Sequence, residues 1–148
     1  MMSPRIRTIF AIVEYQFGIA ASQMLFGESP TALKIRSWYP RPARIFCEGA
    51  LLATLNPSTG HLLLTLKGAM KLKDLPAYKV YFNGTRLTGS NLFVAGVAHA
   101  SHEIRPGDDV IIADINEDII GTGRAVMNGS EMEVATRGIA VKIRKKVR

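Results

Sequence analysis

The chain has 148 residues, 47% of them apolar and 21% charged, the composition of a folded protein rather than a disordered one. Its formal charge of +7 favours phosphate-bearing or acidic partners, and no stretch approaches the roughly 20 apolar residues that span a bilayer. The single cysteine, Cys47, excludes an internal disulfide and a cysteine-built zinc site.

The elements come in two groups. Ile6, Phe10, Val13 and Phe17 recur at helical spacing, which predicts an amphipathic helix over 6–17 with Gly18 as its stop. A second helix is expected over Ala20–Phe26, closed by Gly27 and the Ser29-Pro30 break. Leu33 to Trp38 alternates as a half-buried strand does, and the runs Ala43–Thr54 and His61–Leu66 give two further strands around the turn Asn56–Gly60. Ala69, Leu72 and Leu75 then mark a short helix within Lys67–Leu75. Two helices, a three-stranded antiparallel sheet and one more helix make a small α+β lobe over residues 1–75.

Beyond Leu75-Pro76-Ala77 the strands are short and closely spaced: Lys79–Phe82, Leu92–Ala98, Val110–Asp114, Gly123–Met127 and Ile139–Ile143. Turn residues separate them, which suggests a barrel over residues 76–148. Asn83-Gly84 and Asn128-Gly129 read as tight hairpin turns. Cys47, between Phe46 and Glu48 in an apolar run, reads as a small buried hydrophobe. The basic start is followed by apolar residues interrupted by Glu14 and Gln16, so no secretory leader is expected and the chain reads as soluble and cytoplasmic.

Charge is unevenly distributed. Residues 1–75 carry nine Lys/Arg against four Asp/Glu, and residues 76–148 ten against eight. The last seven residues hold five cations and no acid, whereas Glu103 to Asp118 holds six acids and only Arg105. In the final strand, alternation sets Lys142 and Arg144 on one face and Val141 and Ile143 on the other. That basic ridge, continued by Lys145, Lys146 and Arg148, is able to lie along a phosphate backbone; the plainer reading is a solvated strand edge.

No catalytic pattern competes with this. Gly121-Thr122-Gly123 lacks the lysine of a phosphate loop and follows no long buried strand, so the glycines read as a close-approach corner. His99 and His102 lack a third nearby histidine or cysteine, and read as surface residues rather than metal ligands. Paired acids such as Asp108/Asp109 and Glu117/Asp118 fall in turns. There is no nucleophile elbow.

The ordered segments Leu92-Phe93-Val94-Ala95-Gly96-Val97, Arg105-Pro106-Gly107-Asp108-Asp109-Val110, Gly121-Thr122-Gly123-Arg124-Ala125 and Gly138–Arg144 resemble a PUA domain, an RNA-binding barrel. In the first half, Tyr15-Gln16-Phe17-Gly18, Ala50–Pro57 and Leu66–Leu72 are similar to segments of the C-terminal part of archaeal tRNA-guanine transglycosylases, the archaeosine family. The resemblance covers nearly the whole chain and implies an α+β lobe before a PUA-like β-barrel. It also implies RNA as partner, in particular tRNA held at its acceptor stem and 3′ end. In that family a separate N-terminal barrel with catalytic aspartates and a cysteine-rich zinc site exchanges the base. This chain is too short to hold that barrel, and Cys47 alone does not supply the cysteine chemistry of the related archaeosine synthase. The resemblance therefore implies a non-enzymatic module without cofactor or metal, able to act in trans beside a separate transglycosylase catalytic subunit. Its RNA-facing residues would be Phe93, Ala95, Gly96, Val97, Arg124, Lys142 and Arg144, with Lys145 and Lys146 extending the ridge. With few exposed aromatics expected in this half, strong stacking on bases is not expected. Two rival readings are a PUA-containing ribosome-associated or translation factor and a small enzyme with an unrecognised site.

Overall fold

The computed structural model describes residues 3–27 and 33–147. The expected Ser29-Pro30 break and Arg148 lie outside the described residues. The chain divides into two compact units, Met1–Leu75 and Pro76–Arg148.

The first unit opens with α1 (Pro4–Phe17). Ser3 caps it, its hydroxyl accepting from the Ile6 amide at 3.2 Å, and Pro4 occupies the first turn, where no amide is needed. Gly18, at φ 99°, ends the helix and leads into α2 (Ile19–Phe26), which Gly27 closes at φ 71°. The buried stripe of α1 is Ile9, Val13 and Phe17. Ile6 and Phe10 are only half-buried, although the Phe10 ring packs 5.2 Å from that of Phe26.

Four antiparallel strands follow in sequential order: β1 (Leu33–Arg36), β2 (Ala43–Cys47), β3 (Ala50–Leu55) and β4 (Leu62–Leu64). The run Ala43–Thr54, expected as one strand, is a hairpin. Its turn is Glu48-Gly49, with φ 52° and 83°, the two consecutive positive values of a type I′ connection. Gln16 ties α1 to strand β4, donating from Nε2 to the Leu62 carbonyl at 2.7 Å and accepting from the Leu62 amide at 2.9 Å. In α3 (Leu66–Lys71) Thr65 is the cap, and Gly68 lies so near the Leu52 carbonyl that a Cβ would fall 2.1 Å from its oxygen. Cys47 is buried, and burial raises its thiol pKa.

The second unit is a curled six-stranded half-barrel sheet in the order β6-β10-β9-β8-β5-β7. Its strands are β5 (Lys79–Phe82), β6 (Asn91–Phe93), β7 (Val97–Ala100), β8 (Asp109–Ala113), β9 (Ile119–Ala125) and β10 (Ile139–Lys146). Only β5 and β8 pair in parallel. Val80, Leu92, Ile104, Ile112, Met132 and Val141 belong to its core.

Four expectations change here. Leu92–Ala98 is not one strand: Val94–Gly96 forms a 3₁₀ turn between β6 and β7, and a Cβ on Gly96 would meet the Phe82 ring at 2.9 Å. Strand β9 begins at Ile119, ahead of the expected Gly123. A helix α4 (Gly129–Val134) stands where a hairpin turn was expected, because Asn128 and Glu131 form a capping box. Asn83-Gly84 is also no hairpin, since β5 pairs with β7 and β8. No helix among the described residues is long and apolar enough to cross a membrane.

Candidate nucleic-acid interface

Register places the expected cations. Lys142 on β10 lies opposite Arg124 on β9 and Asn91 on β6, so the three form one row across adjacent strands. Cross-strand partners share a face. Both Lys142 and Arg124 are exposed, whereas their neighbours Val141 and Ala125 point into the core. Gly123 makes the close strand packing possible: a Cβ there would sit 2.4 Å from the Lys142 carbonyl oxygen and 2.7 Å from Val141 Cγ1. Gly121 is similarly tight against the Lys145 carbonyl, at 2.9 Å.

Phe93 extends the same face. Leu92 is buried opposite Val141, so alternation turns Asn91 and Phe93 outward, and Phe93 is 56% exposed. Phe93 is thus an exposed aromatic of this half, where few were expected. Ala95 is exposed, while Gly96 and Val97 are half-buried in the 3₁₀ turn and its exit.

Arg144 behaves differently from Lys142. It falls in a register shift between Ile143 and Lys145, so strict alternation does not hold there. Its guanidinium grips the Asp109 carboxylate with both terminal nitrogens, Nη1 on Oδ1 and Nη2 on Oδ2 (3.2 Å), and Nη2 also reaches Thr122 Oγ1 at 3.3 Å. Asp109 and Thr122 are buried. A buried carboxylate needs such a bidentate partner, so Arg144 has a structural task besides any surface one. Lys145 and Lys146 are exposed, and Lys146 Nζ donates to the Gly89 carbonyl at 2.7 Å.

Sequence reasoning missed two cations beside this face. Arg137 is exposed and adjoins Gly138, whose carbonyl accepts from the Val94 amide at 2.9 Å. Arg86 is exposed in the loop that also carries Gly89. Both are single cations in turns, and no charge run marks them.

The histidines have a definite partner. His99 Nδ1 and His102 Nε2 donate to the two oxygens of Glu133 on α4, and the Ala100 amide donates to Glu133 Oε2 at 3.2 Å. The His102 hydrogen bond, with help from the Ala100 amide and His99, holds the Glu133 carboxyl below the usual carboxylate range. This clip fastens α4 to the edge strand β7. Among the described residues no three His, Cys, Asp or Glu side chains are grouped to hold a metal ion.

Comparison with known proteins gives this geometry its family. Residues 85–147 match the PUA domain, an RNA-binding domain, and residues 7–79 match the patch-forming domain C2 of tRNA-guanine transglycosylase. The chain is 32% identical over 146 residues to a tRNA-guanine(15) transglycosylase of Thermococcus kodakarensis, covering 94% of this chain and 25% of the relative. It is 39% identical over 136 residues to an archaeosine synthase of Haloferax volcanii, covering 90% of this chain and 22% of that protein. An archaeosine synthase subunit alpha of Methanosarcina acetivorans is 35% identical over 136 residues, with 92% and 21% covered. A conserved PUA domain protein from Thermoplasma acidophilum shares the fold, with a TM-score of 0.70 at 20% identity over 99% of this chain and 91% of that one. The chain spans about a quarter of the length of these curated relatives. It is a C2 patch-forming domain followed by a PUA domain, homologous to the C-terminal region of archaeal tRNA-guanine transglycosylases and archaeosine synthases.

Proposed function

We propose that this chain is a non-catalytic tRNA-binding module that holds the acceptor stem and 3′ end for a separate catalytic subunit of archaeosine-type modification. The observation that carries the reading is the outward row Asn91–Lys142–Arg124 with exposed Phe93 beside it, on a PUA domain. Lys142 and Arg124 meet stem phosphates as solvent-facing charges, and Phe93 offers its ring to an unpaired base at the end of the stem. The small, exposed Ala95 leaves room near that ring, whereas Gly96 packs against Phe82, and Lys145 and Lys146 extend the phosphate track. Arg144 fixes the strand through Asp109 and contributes to the RNA surface mainly by that route.

The module assignment is supported by the two family matches, one to a patch-forming domain and one to an RNA-binding domain. A partner in trans is supported by the name of one relative, a subunit alpha of archaeosine synthase. A tRNA partner is in keeping with a cytoplasmic site of action.

Binding of intact tRNA compared with tRNA trimmed of its 3′ single strand tests the reading. Trimming is expected to weaken binding by roughly tenfold, the loss of about one stacked base. Equal affinity for the two forms would remove the 3′ end from the account.

A further inference from the structure

The PUA unit has a second concavity whose chemistry is opposite to that of the basic row. A cleft of about 490 Å³ opens on the β5–β7 side, between the strand ends and the β8–β9 turn, with Tyr81, Phe82, His99, Asp114, Ile115 and Glu117 among its walls. Tyr81 and His99 are direct cross-strand partners, with ring centroids 5.8 Å apart and planes within 28° of parallel. Ile115 is 60% exposed at the rim. Asp114 is only 6% exposed, and its Oδ1 accepts from the Asn116 and Asp118 amides at 2.8 and 3.0 Å. Those bonds fix the carboxylate in the cleft wall, and among the described residues no partner engages its Oδ2. Burial, and then the charge of Glu117, raise the Tyr81 phenol pKa, so the ring stays neutral.

Two carboxylates beside a stacked aromatic pair repel phosphate and attract a flat cation. A guanidinium fits both requirements, since it stacks on aromatic faces and forms forked hydrogen bonds to carboxylates, whereas an ammonium does only part of this. The stretch Glu103–Asp118 holds six acids and one cation, Arg105; Asp109 is already paired with Arg144, and the remaining acids add to the local negative potential. We infer that this cleft receives an arginine side chain of a partner protein, with Tyr81 and His99 as the stacking surface and Glu117 and Asp114 as the acceptors. The inference rests on the proposed reading in one respect, that such a module works beside a separate protein subunit. The PUA unit thus divides its partners by charge: nucleic acid on the Lys142 row, protein at the Tyr81 cleft.

The test uses the full chain and three capped pentapeptides, Gly-Gly-Arg-Gly-Gly and its lysine and citrulline counterparts, followed by NMR titration. The arginine peptide should shift the amides of Tyr81, His99, Ile115 and Glu117 and saturate in the millimolar range. Lysine should bind at least threefold more weakly, and citrulline should not saturate. Glu117→Gln should weaken the arginine peptide about fivefold, in keeping with an exposed charge pair, and leave tRNA affinity unchanged. Equal shifts with citrulline, shifts located elsewhere, or tighter binding of adenosine than of the arginine peptide in the same cleft would overturn the inference. The two ideas fail separately. A chain that binds the peptide but not tRNA loses the proposed function and keeps the arginine cleft, whereas the reverse keeps the function and loses the cleft.

Discussion

Two positions of one strand, Lys142 and Arg144 of β10, carry cations of the same formal charge and use them differently. Lys142 faces solvent beside Arg124, whose other cross-strand partner is Asp109 on β8. Two residues on, Arg144 is turned onto the buried Asp109 and Thr122. Burial decides the difference. A carboxylate in the core imposes a desolvation cost that only a paired, hydrogen-bonded cation offsets, and here Arg144 supplies it. Charge counted along a sequence therefore overstates the charge available to a ligand.

The largest expected effect breaks the comparison at its inner end. Arg144→Ala strips the bidentate partner from Asp109 and should cost about 3 kcal/mol of stability. Lys142→Ala, at an exposed position, should stay within about 0.5 kcal/mol. Urea unfolding of the two variants checks this, and equal midpoints would mean that the Asp109 pair is not what holds Arg144. A double variant, Arg144→Met with Asp109→Leu, should recover much of the loss, since an apolar pair leaves no buried charge.

The next effect sharpens the outer row. Phe93→Ala should weaken tRNA binding by about 1–2 kcal/mol with little effect on stability, as one base loses its platform. An affinity unchanged within a factor of two would leave the exposed ring without that role. Smallest is the α4 clip. Because Glu133 titrates below its usual value in the folded chain, its contribution is present above about pH 4.5 and is lost as pH falls through the lower folded value. Glu133→Gln should thus lower stability near neutral pH by less than about 1 kcal/mol, and the two proteins should converge as pH falls through the lowered folded value. A difference that grew on acidification would reverse the sign and refute the assignment.

Much of this architecture was legible in the chain, and the exceptions share a cause. Helix α1 follows from periodicity and punctuation, because it has an apolar stripe, and β5 from the turn residues that bound a short run. The hairpin at Glu48-Gly49 was hidden because apolar residues run up to both sides of it, and only the backbone's positive φ values reveal the reversal. Helix α4 has six residues and buries the single large side chain Met132, too little for a periodic signal, so its Asn-Gly start looked like a turn. The break at Val94–Gly96 depends on the contact of Gly96 with Phe82, an element away. Similarly, the row of Lys142 and Arg124 could be anticipated from alternation, but the capture of Arg144 could not. Its partner Asp109 lies 35 residues earlier, and only the folded sheet brings them together.

On the proposed reading Lys142 and Arg124, rather than Arg144, anchor the phosphate contacts, which Lys145 and Lys146 extend. The dependence of tRNA affinity on salt tests it most directly. For the double variant Lys142→Ala/Arg124→Ala the slope of log K against log salt should fall by about 1.4–1.8, while a folded Arg144→Met/Asp109→Leu variant should retain the wild-type slope. An unchanged slope in the first, or a comparable fall in the second, would contradict the division of labour along β10.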